Sequence, residues 1–136
     1  MPEPKGSLTA AQYEIMAVIW DVGDVGVTIA DIWQVIAASR DIGRTTVLNQ
    51  VDRLEKRGWL RRLPGDGPTR FCPTLSKKDA SRQLVAGFVS DYFQGSPAEL
   101  VSALLGGDAG TLTKKEIERL RKLLDQARRP AQEGQS

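Results

Sequence analysis

Apolar residues recur at helical spacing in three successive segments of the first sixty residues. The spacing predicts a first helix over about residues 10–21 and a second over about 29–39. A third is predicted from about Arg44 to Gly58, because glycine is favoured just past a helix end. Capping patterns, in which Ser or Thr precedes Asp, Glu or Gln by three positions, begin at Thr9, Thr28, Ser76, Ser96 and Thr113. The apolar faces are predicted to be Tyr13, Met16, Ala17 and Trp20 in the first helix and Ile29, Ile32, Trp33 and Ile36 in the second.

The third predicted helix has two different faces when it is drawn at about 100° per residue. One arc is apolar and is expected to face the core; it contains Val47, Val51 and Leu54, and Leu48 widens it. A separate arc, centred roughly 100° away, is polar and basic, with Thr46, Asn49, Gln50, Arg53 and Arg57. A helix face that only keeps a protein soluble usually carries Glu and Lys, so this composition favours a more specific role.

Two short runs follow, WLRRL and TRFCP, separated by the turn sequence PGDGP. Apolar runs that flank a Pro- and Gly-rich turn predict a β-hairpin. Three helices and a hairpin within residues 1–75 are the layout of a winged helix-turn-helix domain. The predicted fold class is mainly α with a small β-hairpin, an N-terminal winged helix-turn-helix and a C-terminal helical dimerisation region.

The C-terminal region, 76–128, is predicted to contain three helices, over about 77–94, 97–105 and 114–128, before a disordered tail at 129–136. Each helix carries an apolar stripe, and one copy of so small a region cannot bury all three stripes well. A symmetric pair of chains could bury them in a shared core. The alternative is that these helices fold back on their own winged domain. The predicted dimer contacts are Leu84, Phe88, Tyr92, Leu100, Leu104, Leu120 and Leu124.

Charge is distributed unevenly along a chain whose formal net charge is only +2. Residues 1–39 contain one basic and five acidic residues, whereas residues 40–75 contain eight basic and four acidic residues. A basic stretch of this kind, centred on the third helix and the hairpin, is typical of a nucleic-acid-binding surface.

Composition argues against catalysis. The chain has no histidine and one cysteine, Cys72, so it lacks the commonest general base and cannot form a Cys/His zinc site by itself. No catalytic motif is present, and we expect neither an enzyme nor a metal or other cofactor. Cys72 is expected to pack as a small apolar residue and not to act as a redox switch. No run of about 20 apolar residues and no signal peptide is found, so a cytoplasmic protein without membrane association is expected.

The polar face of the third helix matches the chemistry of base recognition. Asn and Gln pair with adenine, Arg pairs with guanine, and the Thr methyl packs on the thymine methyl. Double-stranded DNA is therefore the expected partner. The expected base contacts are Thr46, Asn49, Gln50 and Arg53. The expected phosphate contacts are Thr28, Arg44, Arg57, Arg61, Arg62 and Arg70.

Five segments resemble one family of bacterial regulators, the penicillinase repressors (BlaI/MecI type). They are LTAAQYEIMAVIWDVG, RTTVLNQVDRLEKRGWL, RFCPTLSKKDA, and GSPAELVSALL with KKEIERLRKLL, spanning about residues 8–126. The resemblance implies a homodimeric repressor that binds an operator of dyad symmetry. It also implies that the third helix enters the major groove with Thr45, Thr46, Asn49 and Arg53.

The resemblance implies a further partner, a regulatory protease. Penicillinase-type repressors are cut at an Asn–Phe bond, but the matching position here is Ala103–Leu104. The cysteine cluster of copper-responsive relatives is also missing from the end of the sequence, so the inducing signal is not assigned. Two other functions are consistent with the residues alone. They are a winged-helix module that binds an acidic protein, and a repressor with a small-molecule pocket.

Overall fold

A computed structural model of the chain describes residues 4–106 and 112–128. The elements follow the predicted order, with two antiparallel strands forming the hairpin. They are α1 (Ala10–Val22), a 3₁₀ turn (Gly23–Val25), α2 (Ile29–Ala37), α3 (Arg44–Lys56), β1 (Leu60–Leu63), β2 (Arg70–Pro73), α4 (Lys77–Tyr92), α5 (Pro97–Leu105) and α6 (Lys114–Arg128). The predicted fold class is confirmed, and the chain divides into two compact units, Met1–Phe88 and Val89–Ser136.

The helices begin where the capping patterns predict. The Thr9 hydroxyl accepts a hydrogen bond from the Gln12 backbone N–H, while the Gln12 side chain accepts one from the Thr9 N–H. Thr28 and Asp31 form the same reciprocal pair at the start of α2. The hydroxyls of Ser76, Ser96 and Thr113 likewise accept N–H bonds from the third residue beyond them. Each pair satisfies N–H groups that the first helical turn leaves without a backbone partner.

The core of the first unit lies between its first three helices, the hairpin and the start of α4. Trp59 closes one side of it, and its indole N–H donates to the Lys5 carbonyl at 3.1 Å. The other buried members include Ile15, Met16, Ile19, Ile32, Ile36, Val47, Val51, Leu54, Leu60 and Phe71. The predicted buried arc of α3 is therefore confirmed except at Leu48, which is 50% exposed.

The face predicted for α1 was correct at Met16 and wrong at Tyr13, which is exposed. The buried residues are Gln12, Ile15, Met16 and Ile19, a face rotated by about one residue from the prediction. Tyr13 instead stacks edge-on against Trp20 at the margin of the core, with ring centroids 5.7 Å apart. The Trp20 N–H needs a polar partner and finds it in the Leu75 carbonyl at 3.0 Å. The spacing of apolar residues did not reveal the buried face, because that face includes a polar residue, Gln12.

The hairpin pairs Arg61 with Cys72 and Arg62 with Phe71. A further bridge joins Phe71 to Val27, whose backbone N–H groups and carbonyls exchange bonds of 3.0 and 2.8 Å. Gly26 leads into this bridge with a φ of +79°, and a Cβ there would lie 2.6 Å from the Leu63 side chain. Glycine is required at this point because the chain passes close to the hairpin in a left-handed conformation.

The first unit extends beyond residue 75, the expected end of the winged domain. Ala80 of α4 is fully buried in the core, and Leu84 is partly buried against it. The Gln83 amide donates to the Pro4 carbonyl at 2.8 Å. The compact unit therefore ends at Phe88, because the first turns of α4 complete its core.

The second unit has little core of its own. Within the described ranges, no residue of α5 or α6 is buried. Its exposed large apolar side chains are Tyr92, Leu104, Leu105, Ile117, Leu123 and Leu124. The tail for which disorder is expected, 129–136, lies outside the described residues. None of the helices in the described part of the chain is long and apolar enough to cross a membrane.

Candidate nucleic-acid interface

Helix α3 presents one polar row to solvent while its opposite side is held in the core. Thr45, Thr46, Asn49 and Arg53 are all exposed and span about 100° of the helix circumference. Within residues 4–106 and 112–128, their side chains make no hydrogen bond or ion pair. We call these four residues the exposed row. The row leaves donors, acceptors and a charge available to an external partner.

Gln50 is not part of the exposed row, although the sequence pattern groups it with these residues. Its side chain is half-buried, and its Oε1 accepts a hydrogen bond from Gln12 Nε2 at 3.1 Å. The structure therefore joins Gln50 to α1. No local pattern signals this pairing, because the two glutamines are 38 positions apart.

Arg57 is occupied within the domain, which argues against its expected role as a phosphate contact. Its Nε and Nη2 donate to the Lys5 carbonyl at 3.1 and 2.8 Å, and Nη2 also donates to the Ser7 carbonyl. Nη1 donates to Gln12 Oε1 at 3.1 Å. Arg57 thus fastens the N-terminal segment to the end of α3, although it lies in the polar arc of that helix.

Arg44 and Thr28, the two predicted phosphate contacts near helix starts, lie in different electrostatic surroundings. Arg44 is exposed, and its guanidinium lies 4.7 Å from the centre of the Trp33 ring at the start of α3. No side chain caps that helix end and no acid lies in its first turn, so its positive dipole end adds to the Arg44 charge. At the start of α2, by contrast, the Thr28 hydroxyl caps the helix and the Asp31 carboxylate lies beside it. The negative charge there disfavours Thr28 as a phosphate contact.

The hairpin arginines are not equivalent. Arg61 and Arg62 project to opposite faces of β1, since side chains alternate along a strand. Arg61 is exposed and makes no ion pair within the described residues. Arg62 donates to the Glu55 carboxylate at 2.8 Å and lies 5.5 Å from the centre of the Phe71 ring. Arg70 makes one long bond, 3.3 Å, from Nη1 to the Gly26 carbonyl, so its charge stays uncompensated.

Cys72 is buried beside this surface. Burial raises the pKa of its thiol, and the opposing effect of the Arg61 charge is smaller. The thiol is therefore protonated at neutral pH and is a poor nucleophile. This environment agrees with the expectation that Cys72 packs as an apolar residue.

The predicted dimer residues fall into two sets. Leu84 packs partly against the core of the first unit, which explains its apolar character without a second chain. The exposed members are Phe88, Tyr92, Leu104 and Leu124, and the half-buried members are Leu100 and Leu120.

Among the described residues, no three His, Cys, Asp or Glu side chains form a group that could hold a metal ion.

Two known proteins are similar to the chain in sequence. An uncharacterized 16.5 kDa protein in the ptsI 3′ region of Latilactobacillus sakei is 23% identical over 124 residues, covering 91% of this chain and 82% of that protein. The uncharacterized protein R277 of Acanthamoeba polyphaga mimivirus is 31% identical over 67 residues, covering 47% of this chain and 49% of that protein.

The solved structures to which the chain is similar include the oxidized form of MarR from E. coli. It has a TM-score of 0.48 and 23% identity, and the match covers 88% of this chain and 75% of MarR. The multiple antibiotic-resistance repressor of Listeria monocytogenes has a TM-score of 0.49 and 20% identity, with 88% and 72% of the two chains covered.

The family described as penicillinase repressor matches residues 8–126, nearly the whole chain. The protein therefore belongs to the penicillinase repressor family and is a DNA-binding transcriptional repressor, not an enzyme.

Proposed function

We propose that the protein represses transcription as a homodimer that binds a dyad-symmetric operator, with α3 of each chain in the major groove. The observation that carries this proposal is the exposed row on α3. A helix with its apolar side fixed in a core and its polar side unpaired can approach a groove without rearranging. Arg53 suits guanine, Asn49 suits adenine, and the methyl groups of Thr45 and Thr46 suit thymine.

Cations around the exposed row supply the phosphate contacts in this proposal. Arg44, Arg61 and Arg70 are exposed, and none of them has an acidic partner within the described ranges. Such side chains fix a protein on the duplex without reading its sequence. Arg62 contributes less, because Glu55 already neutralises it.

The composition of the second unit supports the homodimer. Leu104, Ile117 and Leu124 are exposed at 38%, 40% and 57% on helices that contain no buried residue in the described part of the chain. Exposed apolar side chains in this number are typical of an interface. Two-fold symmetry would place two α3 helices in successive major grooves, about 34 Å apart.

Selection of bound sequences from a pool of random duplexes tests the proposal. We expect an enriched motif made of two inverted half-sites whose centres are about 10 base pairs, or a multiple, apart. Sedimentation of the complex should give two chains per duplex. Equal retention of all sequences at moderate salt would contradict specific recognition, and an enriched motif without dyad symmetry would contradict the dimer.

A further inference from the structure

Three side chains of the first unit form a continuous hydrogen-bonded series, which we call the glutamine relay: Arg57, Gln12 and Gln50. Arg57 Nη1 donates to Gln12 Oε1, and Gln12 Nε2 donates to Gln50 Oε1, both at 3.1 Å. Gln12 is only 7% exposed and is the one buried polar residue in the described part of the chain. The relay links the N-terminal end of α1 to the polar arc of α3.

The orientation of the Gln12 amide is fixed by its neighbours. Its oxygen accepts from the Thr9 backbone N–H as well as from Arg57, at 3.1 Å each. A backbone N–H and a guanidinium can only donate, so the atom facing them has to be an oxygen. The Gln12 nitrogen therefore faces Gln50 and donates to it.

The same reasoning fixes the Gln50 amide. Because its oxygen faces the Gln12 nitrogen, its own NH₂ group points away from α1. Gln50 Nε2 makes no bond within the described residues, and no buried side-chain nitrogen or oxygen among them lacks a partner. Nε2 is therefore accessible at the surface. Gln50 adjoins Asn49 and lies one turn beyond Thr46, so the NH₂ group lies at the edge of the exposed row.

We propose that Arg57 and Gln12 act as positioning residues that hold Gln50 as a donor-only reader of one base in each half-site. The inference rests on the proposed function, in which α3 enters the major groove. A free glutamine pairs with adenine through both a donor and an acceptor, but Gln50 offers only its donor. It therefore selects guanine or thymine, whose hydrogen-bonding groups in the major groove are all acceptors, over adenine, which offers N7 beside an amino group. It disfavours cytosine, which presents only its amino group.

The Gln12→Glu variant should make Gln50 present an acceptor to the base instead of a donor, without changing any residue of α3. Both carboxylate oxygens of the new side chain accept, so the bonds from Thr9 and Arg57 are kept. Gln50 can then bond to position 12 only through its nitrogen, and it turns its oxygen outward. In the random-duplex selection, one position in each half-site should change from guanine or thymine to adenine or cytosine, by about tenfold in relative frequency.

Two variants of Gln50 test the same position directly. Gln50→Glu still accepts from Gln12 Nε2 and presents an oxygen outward, so it should change the same base in the same direction. Gln50→Met has no amide and should erase the preference there while leaving the rest of the motif intact. Gln34→Glu is the matched control, because it adds the same charge at an exposed position of α2 outside the relay and should leave the motif unchanged.

The outcomes separate this inference from the function on which it rests. A wild-type protein that enriches no motif overturns both. A wild-type motif that Gln12→Glu and Gln50→Glu leave unchanged, or weaken equally at every position, overturns the relay as a specificity device and leaves the proposed function standing. Circular dichroism of each variant establishes that it is folded. Should Gln12→Glu not fold, the base that Gln50→Met ceases to select decides the question. Guanine or thymine supports a held donor, whereas adenine alone contradicts it, because a freely oriented glutamine pairs with adenine.

Discussion

The two compact units differ in how completely they bury their own apolar side chains. Among its described residues, the first unit buries thirteen in one cluster, and its buried glutamine is hydrogen-bonded. In the second unit, α5 and α6 bury none within the described ranges, although both carry apolar stripes. A domain that closes its own core can present a rigid surface to DNA, whereas helices with unburied stripes are suited to associate with a second copy.

The largest expected effect tests the core of the first unit. Leu54→Ala should lower the free energy of unfolding by about 2–5 kcal/mol, because it leaves a cavity among buried neighbours. Leu48→Ala is the matched control in the same helix, since Leu48 is half exposed, and should cost about 0.5 kcal/mol or less. Urea denaturation measures both. Equal losses would contradict the assignment of α3 faces.

The next effect tests the second unit. Leu124→Glu places a charge on an exposed apolar stripe, so it should dissociate the proposed dimer and weaken operator binding by about 100-fold or more. Sedimentation and anisotropy titrations measure the two effects. Gln126→Glu introduces the same charge on the same helix outside the stripe and should change neither quantity. Undiminished operator binding by monomeric Leu124→Glu would contradict the link between pairing and affinity.

The parts of the fold that sequence predicts are those that local residues determine. A capping pair such as Thr9 and Gln12 lies within one helical turn, so its letters mark the helix start directly. The bridge between Val27 and Phe71 joins segments 44 positions apart through backbone atoms, which carry no side-chain signal. It was absent from the prediction for that reason.

The same distinction explains which features of the candidate interface could be predicted from the sequence. Three members of the exposed row, Thr46, Asn49 and Arg53, could be predicted, because a fixed period relates them on one helix. The occupation of Arg57 could not, since its partners Lys5 and Ser7 lie about fifty positions away. The glutamine relay could not be predicted either, because Gln12 is a polar residue on a buried face and interrupts the apolar spacing that marks such a face.

An intermediate effect contrasts Arg53, on α3, with Arg57, which lies four positions further on and directly follows that helix. Arg57→Ala should destabilise the fold by about 1–3 kcal/mol, because it removes donors from the carbonyls and amide that it joins. Arg53→Ala should leave stability within about 0.5 kcal/mol of the wild type. It should instead lower the ratio of operator to random-duplex affinity by about tenfold, since the variant can no longer pair with its base.

Thermal unfolding and paired anisotropy titrations measure these two changes. Equal weakening of operator and random-duplex binding by Arg53→Ala would contradict the contrast, because it would identify Arg53 as a phosphate contact. It also fails should Arg57→Ala leave the fold as stable as the wild type.

The smallest expected effect separates two adjacent arginines of the hairpin. Arg61→Ala removes an unpaired cation, so it should weaken operator and random duplexes equally. It should also reduce the slope of log affinity against log salt by about 0.9 for each phosphate that the protein no longer neutralises. Arg62→Ala should change the slope less, because the Glu55 carboxylate already compensates that charge in the free protein. Losing Arg62 also frees Glu55 to repel phosphate, so its variant should weaken binding with little change in slope. Titrations at four salt concentrations distinguish the two variants, and identical slopes would show that the ion pair opens on DNA and that both arginines reach the backbone.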